Sequence, residues 1–276
     1  MHANTSATKH HPNTQSANYI RLNKWISNAG VCSRREADEL IQNGRITVNG
    51  ALVTTLGYQV HSTDTVRYKN KVLTPKKNVY ILLNKCKNCI TTNSDPENRK
   101  TVLDFVKGAC SERIYPIGRL DRNTTGLLVL TNDGELAHKL SHPSYEIKKL
   151  YQVTLATGIT AKSLTAIEAG VQLEDGMVRV DNISIVDGDP TKLGIMLHSG
   201  KNRVVRRLFE ALGYQILALD RVMYADLTKK NLPRGKWRYL TQQEIYKLQQ
   251  QVSASRTGNK GKKRLLAATH NKQNQH

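Results

Sequence analysis

Acidic residues are scarce in this chain: 22 Asp and Glu stand against 42 Lys and Arg, a formal charge of +20 over 276 residues. A surplus of that size favours a polyanionic partner, either nucleic acid or an anionic membrane surface. No run of roughly 18 apolar residues occurs, which excludes a transmembrane helix. Residues 1–17 contain no apolar stretch of the secretory kind and no arginine of the transit-peptide kind. The expected location is therefore the cytoplasm, with no membrane partner.

Cysteine is sparse as well. Cys32, Cys86, Cys89 and Cys110 are too few for a disulfide framework in a chain of this length. Cys86 and Cys89 form a lone CxxC with no second pair and no histidines at zinc spacing, so neither a metal nor a redox dithiol is expected. Neither GxGxxG after a strand nor a P-loop is present, and nucleotide-dependent chemistry is disfavoured accordingly. No cofactor is expected. Internal repeats are missing too.

What the chain does contain falls into four parts. Residues 1–18 are polar and rich in Thr, Asn, Ser and His, and are expected to be disordered. A compact basic module follows over 19–78. Leu22, Trp25, Ile26 and Ala29 share one face of a short helix that Gly30 stops. Ser33 and Glu36 have capping-box spacing and open a second helix whose core face is Ala37, Leu40 and Ile41. Arg34 and Arg35 stand in its first turn, where the helix dipole disfavours cations and a phosphate would welcome them. Asn49-Gly50 marks a hairpin, and Thr65–Tyr68 alternates like a strand. This module reads as an RNA-binding lobe, against the plainer reading of a generic α+β subdomain.

The texture changes after Thr74–Asn78. Val79–Asn84 is continuously apolar, as in a strand covered on both faces. Val102–Val106 suggests a short helix, Leu127–Leu130 a strand, and Glu135–Leu140 a helix. Strands are expected at 148–155, Met177–Val186, Leu193–His198, Gln215–Leu219 and Trp237–Leu240. Helices are expected at Thr160–Ala169, Asn202–Leu212 and beyond the capping box Thr241–Glu244. Strands outnumber helices and their connections are short, so this part, 79–250, reads as α+β with a mixed, mainly antiparallel sheet and flanking helices. Residues 251–276 carry six basic and no acidic residues and are expected to form a disordered basic tail.

Three stretches depart from what packing alone would select. Gly118-Arg119-Leu120-Asp121, with Arg122 next, sets a carboxylate between guanidiniums, which favour its ionised form. That suits a nucleophile or a general base, although an Asp that merely starts a turn would look the same. Lys149 and Tyr151 share one face of a strand, where half-buried packing is the plain alternative for Tyr151. A glycine turn at Gly200 runs into a helix bearing Arg203, Arg206 and Arg207 and anchored by Val205, Leu208 and Leu212. A solvated helix face is the plain alternative there.

Together these stretches resemble the pseudouridine synthases, in particular the RsuA/RluB/RluF branch that modifies ribosomal RNA, over about residues 20–250. Gly-Arg-Leu-Asp stands at 118–121, followed by Gly126-Leu127-Leu128. Lys-x-Tyr stands at 149–151, Asn-Arg-x-Val-Arg-Arg at 202–207, and a Ser-Arg-Arg-Glu-Ala run opens the second helix of the N-terminal module. Two positions depart from the pattern: Cys86 stands where the family has Pro, and Val204 where it has Gln.

The resemblance implies a small N-terminal S4-like RNA-binding module followed by a pseudouridine-synthase catalytic domain. It implies a reaction in which a uridine of ribosomal RNA, more often of the large subunit, is flipped out and its base is detached, turned and rejoined through C5. Asp121 is then the catalytic carboxylate, acting as nucleophile or as base in a glycal route. Arg206 pairs with it, Tyr151 offers a ring and a hydroxyl, and Val205 packs beneath the base. Arg119 fills the gap left by the flipped nucleotide, while Lys149, Arg203 and Arg207, with Arg34 and Arg35 of the module, are the expected RNA contacts. The expected protein is a monomer with no obligate protein partner. The rival from another class is a non-catalytic RNA-binding or ribosome-assembly factor. An RNA methyltransferase is disfavoured by the missing glycine-rich loop, and duplex DNA is a further candidate ligand.

Overall fold

The computed structural model describes residues 19–254. The disorder expected of 1–18 and of most of the basic tail lies outside the described residues. The chain divides into two compact units between Lys76 and Lys77.

The first unit contains β1 (Tyr19–Arg21), α1 (Leu22–Asn28), α2 (Arg34–Gln42), β2 (Ile46–Val48), β3 (Ala51–Leu52), β4 (Gln59–His61), β5 (Val66–Tyr68) and β6 (Lys71–Val72). Helix α1 buries Leu22, Trp25 and Ile26, and α2 buries Ala37 and Ile41, the spacing of one helix face. The capping box forms: Glu36 N–H donates to Ser33 Oγ at 3.2 Å, and Ser33 N–H to Glu36 Oε2 at 2.7 Å. Trp25 Nε1 donates to Leu73 O at 3.0 Å and ties the helices to the far end of the module. Strands β3-β2-β5-β6 form an antiparallel sheet. Its first hairpin turns through Asn49 and Gly50, both at positive φ, as a two-residue hairpin loop requires.

The second unit contains β7 (Tyr80–Lys85), β8 (Tyr115–Pro116), β9 (Thr125–Thr131), α3 (Gly134–Ser141), β10 (Lys149–Leu155), α4 (Ala161–Ala169), β11 (Val171–Leu173), β12 (Gly176–Val178), β13 (Asn182–Val186), β14 (Asp189–Leu197), α5 (Val204–Ala211), β15 (Ile216–Tyr224), β16 (Leu227–Thr228) and β17 (Trp237–Tyr239). A last helix, α6, covers 242–254. The main sheet runs β13-β14-β10-β15-β9-β7-β17, with β8 on β9 and β16 on β15. Its pairs are antiparallel except β9 with β15. Strands β7 and β9 are buried along their whole length, as the continuous apolar run anticipated. One of their faces packs under α3 and α6, and the other against Cys89, Val102, Val106 and Ile114. Strands β10, β14 and β15 share a further core with α4 and α5.

Several boundaries differ from the sequence reading. Met177–Val186 is two strands, because β12 folds back on β11 before β13 joins the main sheet. The arginine helix starts at Val204, because Arg203 takes a left-handed φ of 46° that no helix interior accepts. Val102–Phe105 is a 3-10 turn. The last helix passes residue 251, where the tail was expected to begin. Val252 is buried one turn after Leu248 and carries the helix on to 254. No helix among the described residues is long and apolar enough to cross a membrane.

Candidate active site

The parallel pairing of β9 and β15 is where the two halves of the main sheet meet. There Asp220 lies opposite Thr125 and Arg221 opposite Gly126. The strands approach so closely that a Cβ on Gly126 would sit 2.2 Å from Arg221 O, and its φ of 107° suits glycine alone. Beside this junction a cleft of about 150 Å³ opens. Ile117, Leu120, Val205 and Leu219 supply its apolar wall. Arg119, Lys149, Lys201, Arg203, Arg206 and Arg221 supply positive charge. Asp121 is the one carboxylate among the lining residues.

Asp121 follows β8 in a tight loop. Thr124 N–H donates to Asp121 O at 3.0 Å, so Asp121 both starts a turn and faces the cleft. The loop is held from behind by Lys85 at the end of β7, a lysine only 1% exposed. Its Nζ donates to Thr124 O at 2.8 Å, Asp121 O at 2.9 Å, Cys86 O at 3.1 Å and Arg122 O at 3.3 Å. An ammonium has three protons, so four carbonyls share them and fix the backbone on both sides of the carboxylate. Burial pushes the Lys85 pKa down, while nearby Cys89, Cys86 and Asp121 oppose that. Asn88 N–H adds a bond to Arg122 O at 3.0 Å, and Thr91 Oγ1 one to Leu120 O at 2.8 Å. With the main chain pinned, the Asp121 side chain stays 36% exposed toward the cleft.

Helix α5 brings the arginines. Val204, Val205, Leu208 and Phe209 bury one face of it and set the angle of the other. Arg206 Nε lies 3.7 Å from Asp121 Oδ2, and Arg203 Nη1 lies 3.7 Å from the same oxygen. Both are close ion pairs and neither is a hydrogen bond. Arg206 Nη2 donates to Thr124 Oγ1 at 3.4 Å, while its buried Nε has no acceptor. Burial and the charge of Arg203 push the Arg206 pKa down, and Asp121 pushes it back. The positive φ of Arg203, uncommon outside glycine, sits at the cleft rim. Arg207 goes elsewhere: its Nη2 donates to Asp175 Oδ2 at 2.8 Å and its Nε to Asn202 O at 2.9 Å, and it does not line the cleft.

Strand β10 contributes Lys149 and Tyr151 on one face. Tyr151 is half-buried and packs on the apolar groups of both sheet halves. Lys149 Nζ donates to His198 O at 2.9 Å and Ser199 O at 3.4 Å. Burial, with the charge of Arg221, pushes its pKa down to about 8. Across the sheet, Tyr151 lies opposite Arg221 of β15. Arg221 is only 3% exposed. Its Nε donates to Leu127 O at 2.7 Å, its guanidinium stands 4.8 Å from the Tyr224 ring, and its Nη2 has no partner.

The cleft thus unites Arg119, Asp121, Lys149, Tyr151, Arg203, Val205 and Arg206 of the residues selected from sequence. Arg34 and Arg35 are exposed in the first turn of α2, in the first unit. Lys85, Arg221 and Lys201 were not singled out from sequence. The signal for Lys85 and Arg221 was a lone cation in an otherwise strand-like stretch. At the CxxC, burial pushes the Cys89 thiol up to about 11. Among the described residues, no group of His, Cys, Asp and Glu is placed to hold a metal ion.

Residues 79–211 match the family described as RNA pseudouridylate synthase, and residues 20–66 match the S4 domain. The chain is 43% identical over 233 residues to the ribosomal large subunit pseudouridine synthase B of Bacillus subtilis, covering 83% of this chain and 95% of that protein. An uncharacterized RNA pseudouridine synthase of Aquifex aeolicus is 41% identical, covering 83% and 93%. The dual-specificity RNA pseudouridine synthase RluF of Escherichia coli is 36% identical, covering 83% and 78%. A crystal structure of pseudouridylate synthase superposes with a TM-score of 0.60 at 29% identity, covering 83% and 99%.

Proposed function

The chain belongs to the RNA pseudouridylate synthase family, and we propose that it converts specific uridines of ribosomal RNA, of the large subunit by preference, to pseudouridine with Asp121 as the catalytic carboxylate. The observation that carries the role of Asp121 is its place as the one carboxylate in a cleft lined by six cations. An ionised carboxylate is what the reaction needs, whether it adds to the ribose or the base or removes a proton in a glycal route.

In that reaction the C1′–N1 bond breaks, the base turns within the cleft, and a C1′–C5 bond forms. N1 gains a proton and C5 loses one, so atoms balance without a second substrate. Arg206 and Arg203 orient the carboxylate, Tyr151 and Val205 hold the base between them, and Arg119 at the rim occupies the vacated stack. Lys149, Lys201 and Arg203 face the backbone. Arg34 and Arg35 of an RNA-binding module over 19–78 hold the RNA, and residues 79–250 form the catalytic domain. Arg207, tied to Asp175, contributes to the charge of the surface. The same proposal has the protein acting in the cytoplasm as a monomer.

The test is to incubate the protein with unmodified transcripts of large- and small-subunit rRNA, digest them to nucleosides and separate the products. Pseudouridine formed in large-subunit transcripts is the expected result. Tight binding to both without any pseudouridine would instead make the protein a non-catalytic assembly factor.

A further inference from the structure

Arg221 is unusual among the cleft residues because it is buried, charged and mostly unspent. A guanidinium carries five N–H donors, and the one hydrogen bond it makes is Nε to Leu127 O at 2.7 Å. Among the described residues no carboxylate pairs with it, and its buried Nη2 has no acceptor. The Tyr224 ring, 4.8 Å away, offers a face to the cation but no acceptor in its plane. A buried cation in this condition is costly to the fold unless something supplies the missing acceptor.

The position of Arg221 narrows what that acceptor is. It stands at the floor of the cleft, 3% exposed, whereas Asp121 is one-third exposed nearer the mouth. Cross-strand from it lies Tyr151, and Leu219 lines the same cleft two residues earlier on its strand. A flat apolar slot with a fork of donors at its end suits the edge of a base. Phosphates are better served at the rim by Arg119, Lys201 and Arg203. A nucleotide entering with its ribose toward Asp121 presents at the floor the base edge farthest from the sugar. In uracil that edge carries O4, an acceptor, where cytosine carries an amine donor.

We propose that Arg221 reads the base, its free N–H groups donating to O4 of the flipped uracil and rejecting cytosine. This inference rests on the proposed synthase activity. It adds a specificity-determining residue to that reaction.

The test pairs substrate and protein changes. Transcripts are made with uridine, 4-thiouridine or 2-thiouridine, and turnover is followed by nucleoside chromatography for the wild type, Arg221→Met and Arg221→Lys. Sulfur at position 4 weakens the acceptor, so the wild type should lose at least about tenfold in kcat/KM on the 4-thio transcript, the size of one lost hydrogen bond. It should lose little on the 2-thio transcript. Arg221→Met should be slow on the uridine transcript and lose nothing more on the 4-thio one, because the contact is already gone. Circular dichroism checks that it folds. Where Arg221→Met does not fold, Arg221→Lys should show a reduced 4-thio effect. A 4-thio effect missing from the wild type, or equal in wild type and variants, overturns the proposal and leaves Arg221 a structural tie to Leu127. If the wild type makes no pseudouridine from the uridine transcript, the synthase reading itself fails, and that result is read separately from the thio comparison.

Discussion

Arg206 and Asp121 face each other at 3.7 Å, Nε to Oδ2, and no hydrogen bond joins them although the Nε is buried and without an acceptor. A donor kept dry beside a carboxylate is poised to close on it when the base enters, as catalytic hydrogen bonds often tighten only in the complex. Replacing Arg206 with Lys keeps the charge and removes the planar fork. The turnover rate should fall by about 100-fold, the scale of losing one positioned donor, while RNA affinity stays nearly constant. Single-turnover rates and filter binding check this; a parallel loss of affinity would make Arg206 an RNA contact instead.

Lys85 holds four carbonyls around Asp121 from the back of the loop. Lys85→Met fills similar space but takes the ammonium away from Cys86 O and Thr124 O, at about 1–3 kcal/mol for each one that water cannot reach, while Asp121 O and Arg122 O keep the Thr124 and Asn88 N–H groups. A loss of about 3 kcal/mol is expected. At roughly 2–4 °C per kcal/mol for a unit of this size, the melting temperature should drop by about 6–12 °C. Differential scanning calorimetry measures it, and an unchanged melt would mean the loop is held by its own turn.

The depressed pKa of Lys149, about 8, gives a pH dependence with a definite sign. Its folded value lies below the unfolded value near 10.4, so the amine loses its proton as pH rises through about 8, and in the window between the two values stability rises with pH. The positive charge offered to RNA disappears over the same rise. Wild-type affinity for RNA should therefore weaken from about pH 7 to about pH 9, and Lys149→Met should flatten that part of the curve. An identical slope in both proteins would place the titration elsewhere.

Arg34 and Arg35 are exposed in the first turn of α2, where the helix dipole disfavours cations and Glu36 is the acidic residue of that turn. Replacing both with Gln should lower RNA affinity and reduce the slope of log K against log salt by about 1.4–1.8, the release of two counterions. The rate at saturating RNA should not change. A fall in that rate with unchanged affinity would contradict the module's role as an anchor.

These residues also show what was legible in the sequence and what was not. Asp121, Tyr151 and Arg206 could be selected because each sits in a local pattern with its neighbours: a carboxylate between arginines, a lysine and tyrosine on one strand face, cations crowded onto one helix. Lys85 and Arg221 have no such local signature. Lys85 acquires its role from carbonyls 36 to 39 residues away, and Arg221 from Leu127, 94 residues away. Lys85 depends on the antiparallel pairing of β7 with β9 and Arg221 on the parallel pairing of β9 with β15, which no short-range pattern encodes. Arg207 shows the reverse: it shares the local pattern of Arg206, yet Asp175, 32 residues earlier, claims it. The helices of the first unit were readable nearly to the residue, because caps and turns are local devices.

The central claim is that Asp121 carries out the isomerisation, and tritium release from rRNA labelled at uridine C5 tests it most directly, since a new C1′–C5 bond must expel that hydrogen. Purified wild type and Asp121→Asn are compared on unmodified transcript, with RNA affinity measured alongside. The account predicts stoichiometric release by the wild type and none by Asp121→Asn at equal affinity. Release by Asp121→Asn at the wild-type rate would contradict it.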